Sequence, residues 1–218
     1  MPPEALILGF DSSAAHCAAA LLSGDRLLAA RAEEMGKGQA ERLMPMLEEM
    51  LAEAGAGWGD LAAIGVGTGP GNFTGVRIAV AAARGLAMAL GIPAVGVTSF
   101  EALRAGQNGP VLVALDARRG QIYAQYFDIA GGWGPVLAPP EALPPVQPRA
   151  GALCLGDAAG AVAPLVAGKV GLPRHPLAEG IARVAAARRS GTADRPAPLY
   201  LRPADAAPPR EAAPVLLP

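Results

Sequence analysis

The sequence predicts an α/β protein of two subdomains with sheets covered by helices. Three observations carry this expectation. Residues 5–99 read as three strands, helix, strand, helix, strand, and a strand-helix-strand crossover needs a sheet with helices on its faces. The apolar period changes between short continuous runs and a spacing of three and four along that stretch, which separates strands from helices. A breaker cluster, Gly106-Gln107-Asn108-Gly109-Pro110, then precedes fresh strand-like runs and opens a second unit. The expected division is 1–105 for a first subdomain, 106–202 for a smaller second one whose last helix is free to pack back on the first, and 203–218 for an alanine- and proline-rich tail.

Ala5 to Phe10 is an apolar run suited to a buried strand, and Asp11-Ser12-Ser13 ends it with side chains that hydrogen-bond their own backbone in turns. His16 to Leu22 is the second strand, Ser23-Gly24-Asp25-Arg26 has hairpin chemistry, and Leu27 to Ala32 completes an antiparallel meander with Asp11 at its first turn. From Gln39 to Ala54, Leu43, Met46, Leu47, Met50, Leu51 and Ala54 recur at three and four, an amphipathic helix with Pro45 expected in its first turns and Gly55 and Gly57 ending it. Ile64 to Gly67 is a parallel strand, and Val76 to Leu90 is a helix stopped by Gly91-Ile92-Pro93. Ala94 to Val97 is the next strand, and Thr98-Ser99 can cap a helix through Ala102 to Ala105. In the second half, Val111 to Leu115 and Gln121 to Ile129 are strands around the turn Asp116-Ala117-Arg118-Arg119-Gly120. Proline-rich Gly131 to Pro148 reads as a loop, Leu153 to Leu155 as a short strand and Leu177 to Arg189 as a closing helix. The tail past Arg202 has no period, and extension or disorder is expected there. No internal repeat is visible in the residues.

Composition narrows the function classes. An apolar content of 52% is ample for a buried core, but much of it is alanine, and aromatics are only 4%. Close helix contacts between small side chains are therefore expected. A net charge of −1 gives no general field for nucleic acid, so any such role rests on a local arginine group. Arg77, Arg118, Arg119 and Arg202 are the residues to name for contact with a nucleic acid or an acidic partner; the plainer reading is solvated surface arginine. The run Val76 to Leu90 is broken by Arg77, Arg84 and Gly85, which argues against a membrane span and for a cytoplasmic protein. Cys17 and Cys154 have no metal or redox spacing and read as buried reduced thiols. His16 and His175 are too few and too separated for a zinc or iron centre, so no metal and no cofactor is expected. His16 reads as a strand-end residue with a local hydrogen bond.

The distinctive stretch is Ile64 to Ile78, Ile-Gly-Val-Gly-Thr-Gly-Pro-Gly-Asn-Phe-Thr-Gly-Val-Arg-Ile, a strand-loop-helix junction. Its glycines permit close backbone approach, and Pro70 limits the freedom they bring. The helix start would suit an anion, but no lysine follows these glycines as a Walker loop requires. Neither Gly65-Val66-Gly67 nor Gly69-Pro70-Gly71 has glycine three places on, as a dinucleotide fingerprint requires. A structural turn or interface loop is favoured over direct nucleotide binding, for which Asp11, Ser12, Gly69, Gly71 and Thr74 are the weak candidates.

Two half-domains that each open on a hairpin meander resemble the actin, hexokinase and Hsp70 (ASKHA) superfamily. Its phosphotransfer members place an aspartate at the first hairpin with glycine and threonine beside it. Asp11-Ser12-Ser13-Ala14 lacks that glycine, and Asp116-Ala117-Arg118-Arg119 puts long side chains where a second phosphate loop needs space. A closer resemblance is carried by Gly69 to Ile78 together with Asp11-Ser12-Ser13, Glu41-Arg42-Leu43-Met44-Pro45-Met46-Leu47, Asp116-Ala117-Arg118 and Tyr200-Leu201-Arg202. With these blocks the chain is similar to the bacterial TsaB (YeaZ) family. The resemblance implies a non-catalytic subunit for N6-threonylcarbamoyladenosine (t6A) formation at position 37 of tRNAs that read codons beginning with A. The catalytic work would belong to a TsaD-like paralogue, a TsaE-like ATPase would join, and tRNA would be met only indirectly. The two histidines that the TsaD pattern sets one helical turn apart are missing from the helix beginning Gln39-Ala40-Glu41-Arg42-Leu43. Gln39 stands where many relatives have histidine, and Asn72 where serine is usual.

The resemblance makes the helices Gln39 to Ala54 and Val76 to Leu90 a partner-binding face, with Leu43, Met46, Met50, Arg77, Ala79, Ala82 and Ala83 as contact residues for a TsaD-like subunit or for a homodimer. The plainer reading places such residues in the core. An alternative function is a small-molecule kinase or nucleotide hydrolase using Asp11. A metalloprotease is disfavoured by the missing histidine pair. Ser12, Ser13 and Cys17 lie near His16 in sequence, but alternation along a strand gives no triad geometry.

Overall fold

The computed structural model describes residues 4–146, 151–191 and 194–202, so the expectation for 203–218 lies outside the described residues. The chain opens with an antiparallel meander of β1 (Leu6–Asp11), β2 (His16–Ser23) and β3 (Arg26–Glu34). β4 (Leu61–Gly67) and β5 (Ala94–Val97) join in parallel, giving the order β3-β2-β1-β4-β5. The second sheet follows the same plan. β6 (Val111–Asp116), β7 (Ile122–Phe127) and β8 (Trp133–Ala138) form its meander, and β9 (Leu153–Leu155) and β10 (Lys169–Val170) add in parallel, in the order β10-β9-β6-β7-β8. Counted outward from β1 and β6 the two orders coincide. The repeat that the residues hide is therefore present in the topology.

Helices fill the faces where the apolar stripes demand cover. α1 (Gln39–Glu53) and α2 (Phe73–Leu90) lie on one face of the first sheet, packing Leu43, Met46, Leu47, Met50, Val76, Ala79, Val80 and Ala83 against Leu8, Phe10, Leu21, Ile64 and Val66. Each large side chain so buried contributes roughly 1.5–3 kcal/mol. The opposite face is covered from the far end of the chain. Ile181, Ala182 and Ala185 of α5 (Leu177–Arg188), with Ala102 of α3 (Ser99–Arg104), seat on Ile7, Leu22, Ala63, Val95 and Val97. The contact is close because β1 offers a glycine: a Cβ on Gly9 would stand 2.6 Å from the Ala178 carbonyl oxygen and 2.7 Å from the Ala182 methyl. In the second half, α4 (Ala159–Val162) packs Ala159 and Val162 onto Leu112, Ala114, Ala124 and Cys154.

Several boundaries differ from expectation for identifiable reasons. α2 begins at Phe73 rather than Val76 because the Asn72 carboxamide oxygen accepts from the Thr74 and Gly75 amides, and asparagine and serine serve equally at this cap. α3 starts on a reciprocal version of this cap, where Thr98 and Glu101 form a capping box. Pro45 sits in the second turn of α1, within the first turns as expected; it is exposed, so water can take the Glu41 carbonyl that loses its donor. The expected loop Gly131 to Pro148 contains β8. This is an edge strand that pairs irregularly with β7 around Pro135, the place where a sheet tolerates a missing donor. α4 and β10 are too short and too alanine- and glycine-rich to show a period. α2 is long and apolar enough by composition to cross a membrane. Its stripe Gly75, Val76, Ala79, Val80 and Ala83 is nevertheless packed on the sheet as one wall of the fold.

Charge ties α1 to β3. Arg42 bonds Glu33 and Glu49, and Arg31 bonds Glu49 and Glu53. The hydrogen bonds from Arg42, reinforced by Arg31, hold the Glu49 carboxyl down to about 2, and Arg42 likewise holds Glu33 below the usual carboxylate range.

Two outcomes follow. Gly9→Ala forces α5 off the sheet and should cost about 1–3 kcal/mol, the usual penalty of an overpacked core, read as a drop of several degrees in thermal melting. Depressed carboxylates stabilise above their unfolded pKa and lose that contribution as pH falls through the folded one. Arg42→Ala should therefore melt below wild type at pH 7, with the gap closing between about pH 4.5 and pH 2 as Glu49 protonates.

Candidate functional site

The C-terminal end of β1 delivers Asp11 to the first hairpin, where its side chain is fully buried. Its Oδ1 accepts from the Ser13 amide, the Ser13 hydroxyl and His16 Nε2, each at 2.9 Å. The His16 expectation thus holds: a strand-end histidine with a local hydrogen bond. Ser13 and His16 meet the same carboxylate oxygen, which is no nucleophile-base pair. Oδ2 is buried without a hydrogen-bond partner and faces Gly67, where any Cβ would collide with it. Asp11 is therefore spent on its own turn, and the carboxylate that phosphotransfer would need is closed off by backbone.

The glycine-rich loop closes over this turn. The Ser13 carbonyl accepts from the Asn72 amide and lies against Gly71; the Ser12 carbonyl lies against Gly75, and Ser12 Oγ donates to the Gly75 carbonyl at 2.8 Å. A side chain at Gly71 or Gly75 would strike those carbonyls. Ser12, Gly71 and Gly75 thus meet in one interlock, while Gly69 carries a φ of 87° and its carbonyl accepts from Ser99. Thr74 is exposed, and its amide is already taken by the Asn72 cap. The weak nucleotide candidates do come together, but as a packed junction.

The second half places Asp116 at the equivalent end of β6, and it makes the same local bond: the Arg118 amide donates to Asp116 Oδ1 at 2.9 Å, as Ser13 does to Asp11. Here the aspartate is exposed. The turn beyond it holds Arg118 and Arg119 at φ 61° and 55°. Residues 199–202 run between the two hairpins. The Leu199 amide donates to Thr68, Arg77 Nε donates to the Tyr200 hydroxyl at 2.8 Å, and Arg202 donates to the Ala117 carbonyl at 2.7 Å and to Gln121. The Arg77 guanidinium stands 3.7 Å over the Phe73 ring, whose centroid is 5.0 Å from that of Tyr200. Sequence reasoning named Arg202 as a contact arginine but held Tyr200 and Phe73 only as members of longer blocks; the scarcity of aromatics was the one available signal.

The expected contact residues need correction. Leu43, Met46, Met50, Ala79 and Ala83 are buried in the chain's own core, so no partner reaches them across the folded surface. Arg77 is exposed and Ala82 is half-buried, beside Ile78 and Leu86, with Ala81, Met88 and Ala89 exposed on the same helix. Cys17 and Cys154 are buried free thiols, and burial pushes both above the usual thiol range, so neither is poised as a nucleophile. Among the described residues no three His, Cys, Asp or Glu side chains converge as a metal site. Gln39, at the head of α1, donates from its carboxamide to the Met35 carbonyl at 3.2 Å.

Residues 32–137 match the family model described as TsaD: tRNA N6-adenosine threonylcarbamoyltransferase. The tRNA threonylcarbamoyladenosine biosynthesis protein TsaB of Escherichia coli is 36% identical over 126 residues, which are 55% of this chain and 54% of that protein; the chain spans about half the length of this curated relative. A Mycobacterium tuberculosis protein described only as uncharacterized is 39% identical over 176 residues, 79% of either chain. Among solved structures, YeaZ from Pseudomonas aeruginosa superposes with a TM-score of 0.70 at 30% identity, covering 90% of this chain and all of that one. The two meander-led sheets, each mixed and covered by helices, give the α/β architecture expected of the chain. With identity at this level sustained along a whole YeaZ chain on that scaffold, the protein belongs to the TsaB (YeaZ) family.

Proposed function

We propose that this chain is a non-catalytic scaffold and activator subunit for t6A formation at position 37 of tRNAs that read codons beginning with A. It works in the cytoplasm through a TsaD-like catalytic subunit, with a TsaE-like ATPase joining the assembly. The observation that carries the reading is the state of Asp11. In a phosphotransfer site the first-hairpin carboxylate must face nucleotide and metal, whereas here one oxygen is saturated by Ser13 and His16 and the other is walled in by Gly67. What remains available for function is surface. The free side of α2 supplies a strip of small and apolar residues, Ile78, Ala81, Ala82, Ala89 and Met88, shaped for close approach of another helix. The same strip serves a second copy of the chain when no catalytic subunit is present.

The test is a charged bulky side chain on that strip. Ala82→Arg should leave the monomer folded by circular dichroism but weaken capture of a TsaD-like partner by roughly 30-fold or more, the effect of an uncompensated charge at the centre of a packed interface. Unchanged capture would remove the α2 face from the interface. Calorimetry with ATP and magnesium should show no turnover by the chain alone; hydrolysis that vanishes in Asp11→Ala would return Asp11 to a catalytic role.

A further inference from the structure

We infer that the edge joining the two hairpins, formed by Arg118, Arg119, Arg77, Phe73 and Tyr200, is a contact surface for RNA, gripping phosphates with the hairpin tip and stacking a base on the ring pair. The inference rests on the reading of the chain as a t6A subunit for its choice of RNA, but its observations are independent of the α2 strip.

The first observation is conformational. The turn is closed by the Gln121 amide to the Arg118 carbonyl at 3.1 Å, and φ is positive at three residues in succession: Arg118 61°, Arg119 55° and Gly120 72°. Glycine or asparagine occupies such positions without strain, and two arginines do not. A strained backbone that persists at an exposed tip points to use of the side chains it displays. The second observation is electrostatic. Arg77, Arg118, Arg119 and Arg202 form no ion pair among the described residues, as is true of Arg26, Arg84, Arg104, Arg174, Arg189 and Arg195. Arg77 and Arg202 are hydrogen-bonded to Tyr200, Ala117 and Gln121, so among the described residues the guanidinium groups of Arg118 and Arg119 are the ones left without a partner at this edge. The carboxylates at the base of the turn, Asp116 and Asp157, each commit an oxygen to backbone, to the Arg118 and Asp116 amides. The third is the platform. Phe73 and Tyr200 are 43% and 46% exposed, unusual for large aromatics in a chain with so few, and Arg77 braces both. A base gains from a half-exposed ring face and a phosphate from unpaired guanidinium; a carboxylate-bearing peptide uses only the second. Because Tyr200 and Arg202 are two residues apart in one strap, tip and platform lie on the same edge.

The experiment separates this use from folding. Arg118→Gly with Arg119→Gly relieves the turn, so the double variant should melt at or above the wild-type temperature. Fluorescence anisotropy of a labelled, unmodified tRNA is then titrated with the full chain, alone and with a TsaD-like partner, at two salt concentrations. The double variant should bind at least 10-fold more weakly, with a log K versus log salt slope shallower by about 1.4, two phosphate contacts on a single strand. Tyr200→Ala should weaken binding roughly 10-fold with the slope unchanged, the signature of lost stacking. Equal affinity and slope in both variants would overturn the inference, as would loss of partner capture by the double variant with tRNA affinity intact, which would make the edge a protein contact. Failure of the scaffold reading shows separately, as no complex between wild-type chain and partner, and the titration of the chain alone still decides the edge.

Discussion

Two backbone segments pressed together without side chains between them govern the first half of this molecule. The carbonyls of Ser12 and Ser13 lie where the Cβ atoms of Gly75 and Gly71 would be, and hydrogen bonds from Ser12 Oγ and the Asn72 amide lock the pair. This fixes the end of β1 against the start of α2, and so sets both the direction in which α2 leaves the sheet and the burial of Asp11. An anion site would need that helix start open and its amides free. Here the Asn72 side chain takes two of them and the hairpin covers another. The loop thus works as a joint between elements, and its glycines are demanded by contact distance as much as by dihedral angle.

Much of this was legible in the residues. The meander, both crossover helices and the strand ahead of the glycine stretch follow from apolar period and breaker residues, because each buries one continuous stripe. The second half was less readable for a physical reason. Its parallel strands are two and three residues long and its covering helix has four, so no window holds a full period. β8 hides behind Pro135, which sequence logic counts as a breaker and an edge strand tolerates. At the site, residue types located the interlock, but only the fold shows that Asp11 is inaccessible, since its neighbours His16 and Gly67 come from different strands. The interface residues were misjudged for the opposite reason. A helix with one apolar stripe uses it to hold itself to its sheet, and Leu43, Met46 and Met50 are that stripe.

The two halves have taken one plan in different directions. Asp11 and Asp116 make the same bond to the amide two residues on, yet one hairpin is folded inward and the other projects into solvent. Residues 199–202 connect them, touching Thr68 and Arg77 on one side and Ala117 and Gln121 on the other. Movement of one hairpin relative to the other must break or carry that strap.

The cover that α5 gives to the first sheet also has a bearing on how the protein is made. Ile7, Ala63, Val95 and Val97 belong to the first hundred residues, but the side chains that shield them, Ile181, Ala182 and Ala185, are made well after them. A nascent chain therefore holds a half-clothed sheet until α5 has been made and has docked.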